Sequence, residues 1–209
     1  MEGGYFRLGR FGGAPIRIHW TTPIGAFAFC GFRWAPAAWG AFVALILIHE
    51  LGHAVMVRAF RLKVASVDVH GIGGVCNFFG TTTPIGSALI AWGGVFGQLV
   101  LLALALPATL LLPPVGAPWW ATQLLDSLIF TNLYLMAINL LPVPGFDGAE
   151  AWKLFGKNGL PAWWRRRKLL GSKPKGVVRS MPVHKPFVGE DILEKTPTHK
   201  KRPPPHMLN

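Results

Sequence analysis

From residue 64 to residue 152 the chain has no lysine and no arginine. Over its whole 209 residues it has nine acidic side chains and two cysteines. Only 14% of residues are charged and 51% are hydrophobic, which excludes an ordinary soluble domain and fits a polytopic membrane protein. Cys30 and Cys76 lie in apolar or membrane-adjacent stretches, so neither a disulfide framework nor a cysteine-based metal site is expected. The formal net charge of +12 would suit a nucleic-acid binder, but the long middle without lysine or arginine argues against that partner. The cations gather at the ends and in one loop, as the positive-inside bias of membrane proteins produces. The first apolar stretch, Thr21 to Phe32, runs into Arg33 and Trp34 without a small-residue cleavage site, so it reads as a retained anchor.

Four candidate spans emerge. Ile18 to Phe32 is short for a hydrocarbon core of about 30 Å. Ala37 to Phe60 follows Pro36 and ends at Arg58, Arg61 and Lys63. Pro84 to Leu112 carries Gly86, Gly93, Gly94 and Gly97, a small-residue face suited to close helix packing. Ala121 to Leu141 is the fourth, and Pro142, Pro144, Gly145 and Gly148 forbid a regular continuation. Between the second and third spans, Val64 to Phe79 shows β-branched residues and partial alternation, then glycines. It reads as a short strand or hairpin dipping towards the membrane interior. The expected fold is an all-α polytopic membrane protein of about four transmembrane helices. It has one β-like or re-entrant segment after the second helix, and a fourth helix broken at its end. Residues 1–17 read as a cytoplasmic Gly-rich arm, 18–160 as the membrane core, and 161–209 as a basic, disordered cytoplasmic tail. Arg7, Arg10, Arg17, Arg58, Arg61, Lys63 and the tail then share one side against Arg33 alone, which puts both termini in the cytoplasm.

The second span holds His49-Glu50-Leu51-Gly52-His53, the His-Glu-x-x-His pattern of zinc-binding helices. Residues four apart share a helix face, so both imidazoles can meet one ion. Glu50, one step round, can reach a water on that ion as a general base. A carboxylate within such a span costs roughly 2.5–3.5 kcal/mol, which marks it as functional rather than incidental. Catalytic zinc usually takes three protein ligands. The candidates for the third are Asp147, Asp126, His70, His19 and Cys76, with Asp68 and Glu150 weaker. Asp147 is favoured because the Pro/Gly turn frees it to aim inward, although Asp-Gly is also a common turn pair.

Together, His49-Glu50-Leu51-Gly52-His53 and Asn139-x-x-Pro142-x-x-x-x-Asp147-Gly148 resemble the motifs of the site-2 protease family, the intramembrane zinc metalloproteases. The resemblance covers roughly residues 18 to 154. It implies that His49, His53 and Asp147 bind one zinc ion and that Glu50 is the catalytic base. It also implies that Asn139 helps to hold substrate, and that the substrate is a membrane-spanning protein cut in or near its transmembrane segment. The third span departs from the family pattern: Gly93-Gly94-Val95-Phe96-Gly97-Gln98 lacks the usual proline, with Gly97 or Gln98 near the expected Asn. A membrane protein that binds or transports metal without hydrolysis would keep His49, His53 and Asp147 but would not need Glu50.

Overall fold

The structure is a computed structural model and describes residues 3–111 and 116–156. The tail from 161 to 209 and part of the linker before Trp119 lie outside the described residues.

The chain opens with two strands, β1 (Tyr5–Phe11) and β2 (Ala14–His19). Gly12 and Gly13 join them at φ 54° and 93°, the double positive φ that a tight two-residue hairpin turn demands. A short helix α1 (Thr22–Phe29) and the long helix α2 (Pro36–Ala59) follow. Strands β3 (Lys63–His70) and β4 (Gly73–Phe79) form a second hairpin, and α3 (Pro84–Ala108) leads away from it. The last long helix has two α segments, α4 (Trp119–Asp126) and α5 (Asn132–Asn139), joined by a π-helical turn at Ser127–Thr131. After an irregular loop comes the one-turn helix α6 (Gly148–Ala151).

The four strands make one sheet in chain order. Within each hairpin the pairing is antiparallel, whereas β2 and β3 run parallel, with Ile18 opposite Val69 and Arg17 opposite Asp68. Alternation sorts the two faces. Val67 and Val69 are fully buried in the core clusters they share with α2 residues such as Ala54, Val57, Phe42 and Leu45. On the opposite face Arg17 grips Asp68 with Nε to Oδ1 at 2.6 Å and one Nη to Oδ2 at 2.7 Å, and Ser66 and Asn77 complete the network.

Two expectations are corrected here. The stretch read as a loose arm and a first span is instead a hairpin plus a short helix, because Ile16-Arg17-Ile18-His19 alternates apolar and polar and pairs with β3. Helix α1 has eight residues, about 12 Å at 1.5 Å per residue, too short to cross a bilayer by itself. It ends where Gly31 and Phe32 turn to φ 66° and 58°. The fold is therefore helix-dominated with a four-stranded sheet rather than all-α. Three helical stretches among the described residues are long and apolar enough to span: Pro36–Ala59, Pro84–Leu111 and Trp119–Asn139.

Helices α2 and α3 touch backbone to backbone. A Cβ on Gly52 would lie 2.2 Å from the Gly93 carbonyl oxygen, and one on Gly97 would lie 2.7 Å from that of Ile48. Only glycine permits this approach, and it brings the wall of α3 up to the histidine face of α2. At the end of α5 the helix unwinds as its prolines require. The freed Leu140 carbonyl accepts from Trp152 Nε1 at 2.6 Å, and the loop turns back so that Asp147 precedes α6.

Candidate metal centre

His49, Glu50 and His53 project from the middle of α2 and are 6%, 5% and 7% exposed. Their metal-ligating atoms lie within 4.8 Å of one another. The two Nε2 atoms stand 3.0 Å apart. Asp147, almost a hundred residues later, sets Oδ2 2.8 Å from His49 Nε2 and 3.1 Å from His53 Nε2. Gly94 makes room for the pair, since a Cβ there would lie 2.5 Å from His49 Cε1 and 2.6 Å from His53 Nε2.

The far side of each ring decides what this convergence means. His53 Nδ1 is 2.7 Å from the Ile90 carbonyl oxygen, which can only accept, so Nδ1 carries the hydrogen. His49 Nδ1 faces Gln98 Oε1 at 2.9 Å and likewise donates. In the neutral imidazoles both Nε2 atoms are then bare lone pairs, and both point at a carboxylate oxygen. Three acceptors about 3 Å apart repel one another unless a cation stands among them. Tetrahedral ligands at roughly 2.0–2.1 Å from zinc would themselves be about 3.3 Å apart, so the donor set and its spacing fit that ion.

Glu50 is turned towards the sheet rather than into the triad of acceptors. Its carboxylate faces the backbone of Cys76 on β4. A Cβ on Gly74 would come within 2.4 Å of Glu50 Cγ, so β4 lies directly on this side chain. A cavity of about 450 Å³ opens beside it, lined by His49, Glu50, Gly73, Gly74, Asn139 and Asp147 among others. Asn139, the last residue of α5, is half-buried at its wall.

The other candidate ligands lie elsewhere. Asp126 is exposed at the end of α4. Asp68 is held by Arg17, and Glu150 pairs with Lys153. His19 Nδ1 is 2.8 Å from Thr21 Oγ1, and His70 Nε2 is 3.3 Å from the Tyr5 hydroxyl. Burial, then the neighbouring His19 and Arg17, lower the His70 pKa. The Cys76 thiol is pushed up to about 12, first by burial and then by the charges of Glu50 and Asp68. Gln98 and the Ile90 carbonyl touch the imidazoles without having been picked out as partners. The signal for Gln98 was its place near the expected Asn of the third span, on a helix that is otherwise apolar.

No family model matches the chain. Two curated sequences do, both described as "Putative zinc metalloprotease Rip3", from two strains of Mycobacterium tuberculosis. Each is 29% identical over 178 residues, covering 76% of this chain and 44% of the relative. The match thus spans less than half the length of those relatives. Among solved structures, the site-2 protease from Methanocaldococcus jannaschii superposes with a TM-score of 0.55 at 22% identity, covering 75% of this chain and 74% of that one. The fold is that of the site-2 protease structure, and over three quarters of its length the chain is similar to relatives described as zinc metalloproteases.

Proposed function

We propose that the chain is an intramembrane zinc metalloprotease that hydrolyses a peptide bond in or near the transmembrane segment of a protein substrate. One observation carries the reading: two imidazole lone pairs and a carboxylate oxygen meet at about 3 Å within a membrane-length helix bundle. In this reading His49, His53 and Asp147 hold the zinc, Glu50 is the catalytic base and Asn139 contacts substrate. Zinc held by these three side chains would polarise the scissile carbonyl and lower the pKa of water to about 7. Glu50, beside the ligands, would serve as the base that takes a proton from the attacking water and returns it to the leaving amine. Its place between α2 and β4 keeps it beside the ligands without joining them.

A helical substrate hides its carbonyls in hydrogen bonds, so it must unwind before attack. Strand β4 is an edge of the sheet beside Glu50, and an extended substrate can add to it by backbone pairing. The substrate reaches the site from the bilayer. We place the sheet end of the bundle and both chain termini in the cytoplasm of a multi-pass cell-membrane protein. The cationic Arg58, Arg61 and Lys63 at the α2–β3 junction support that orientation.

The test is metal analysis of the purified full chain, together with cleavage of a panel of single-span peptides. We expect stoichiometric zinc in the parent and in Glu50→Gln, with turnover only in the parent. Parent-like cleavage by Glu50→Gln would remove the base. Zinc without cleavage in either chain would favour a non-hydrolytic metal-binding membrane protein.

A further inference from the structure

Gln98 stands among apolar residues in the middle of α3 and is 1% exposed. Its Oε1 lies 2.9 Å from His49 Nδ1. The last long helix holds the same residue from behind, with Asn132 Nδ2 donating to the Gln98 backbone carbonyl at 3.0 Å. Asn132 is fully buried, and its Oδ1 has no partner among the described residues. Among the described residues, the bond to Gln98 is the one its side chain makes. The π-helical turn at Ser127–Thr131 ends where Asn132 begins, and such turns inside α-helices are frequent at functional sites.

We infer that Gln98 is a positioning residue for the metal: its amide oxygen holds His49 in the tautomer and orientation that aim Nε2 at His53 and Asp147. This rests on the zinc-site reading and deepens it. Helix α3 runs antiparallel to α2 and supplies one acceptor to each imidazole. His53 receives the Ile90 carbonyl, which no side-chain substitution removes. His49 receives the Gln98 amide, which a substitution does remove. A partner on the distal nitrogen fixes a ligating imidazole and raises its basicity, and its loss typically weakens metal binding about 10–100-fold. An amide is a weaker acceptor than a carboxylate, so this position also sets how basic His49 is.

The experiment uses the full chain in detergent or nanodiscs. Zinc affinity is read by competition with a chelator, and the site by the absorption spectrum of cobalt in place of zinc. We expect Gln98→Leu to weaken zinc about 10–100-fold and to shift the cobalt spectrum. Gln98→Glu should hold zinc at least as tightly as the parent. Parent-like affinity and spectrum in Gln98→Leu would overturn the assignment. So would a loss in Gln98→Leu that merely follows a lower zinc-free melting temperature and that Gln98→Glu fails to rescue. Should Gln98→Leu not fold, Gln98→Glu decides alone: weaker zinc than the parent overturns the role, and equal or tighter zinc supports it. A parent chain that holds no zinc defeats the zinc-site reading itself and takes the positioning role with it. That failure is visible before any variant is made.

Discussion

At the scale of single residues the site depends on a few atoms that have no slack. Gly74 shows this most directly. An added methyl would meet Glu50 at Cγ, close to the backbone, where the side chain cannot swing away cheaply. We expect Gly74→Ala to cut peptide cleavage about 10²–10⁴-fold, the usual worth of a positioned general base, while zinc content stays at the parent value. Gly40→Ala, on the same helix as Glu50 but with open space around it, should leave both measurements unchanged. Cys76 offers a check by pH. Its thiol is raised to about 12, so the reactive thiolate is scarce at neutral pH and grows only as the solution approaches that value. Mass spectrometry after alkylation at pH 7 to 8 should find Cys76 unmodified in the folded chain and modified after unfolding. The meeting of these side chains was largely readable in advance. His49, Glu50 and His53 stand out because ionisable groups are rare in an apolar helix, and Asp147 because it follows a forced break. Gln98 was harder: its place near the expected Asn marked the position, but its partner lies 49 positions away and no local pattern names it.

At the scale of elements, the α2–α3 contact decides whether the candidate ligands can meet. Gly52 and Gly93 touch through their backbones, and Gly94 borders both rings. Gly94→Ala should abolish zinc retention while the chain still inserts and folds, measured by metal analysis beside a thermal melt. Gly52→Ala presses against a main-chain carbonyl and should lower stability by about 1–3 kcal/mol, the common cost of overpacking, read from a shift in melting. The long helices were legible from hydropathy and punctuation: α2 starts on Pro36 and α3 on Pro84, a residue that suits a first turn. The β3–β4 hairpin was legible from β-branched alternation. The first hairpin was not. Its Gly-rich, Arg-rich composition imitates a loop, and the run from Ile18 to Phe32 fuses the end of a strand with a short helix. Hydropathy cannot see that seam, because both halves are apolar.

At the scale of the whole molecule, the sheet ties together parts of the chain that local pattern cannot connect. Strand β2 pairs with β3 across two helices, and Arg17 reaches Asp68 over 51 positions. Asp68 is 4% exposed, so losing its guanidinium leaves a buried carboxylate with only Ser66 and Asn77. We expect Arg17→Met to destabilise the chain by about 1–3 kcal/mol, and the added change Asp68→Asn to recover part of it, both read from thermal melts. Cleavage should fall in step with folded protein and not beyond it, because the pair lies on the face of the sheet away from Glu50.

The parallel seam between β2 and β3 also bears on how the chain tolerates trimming. Removing residues up to Gly13 strips away only the outermost strand and leaves β2 as a border. Cutting past His19 goes further, because it bares the flank of β3, whose other side carries the strand lying on Glu50. A flank of that kind invites pairing with foreign chains. Shortened versions that begin after His19 should therefore clump on extraction from the membrane, and those that begin near Ala14 should not.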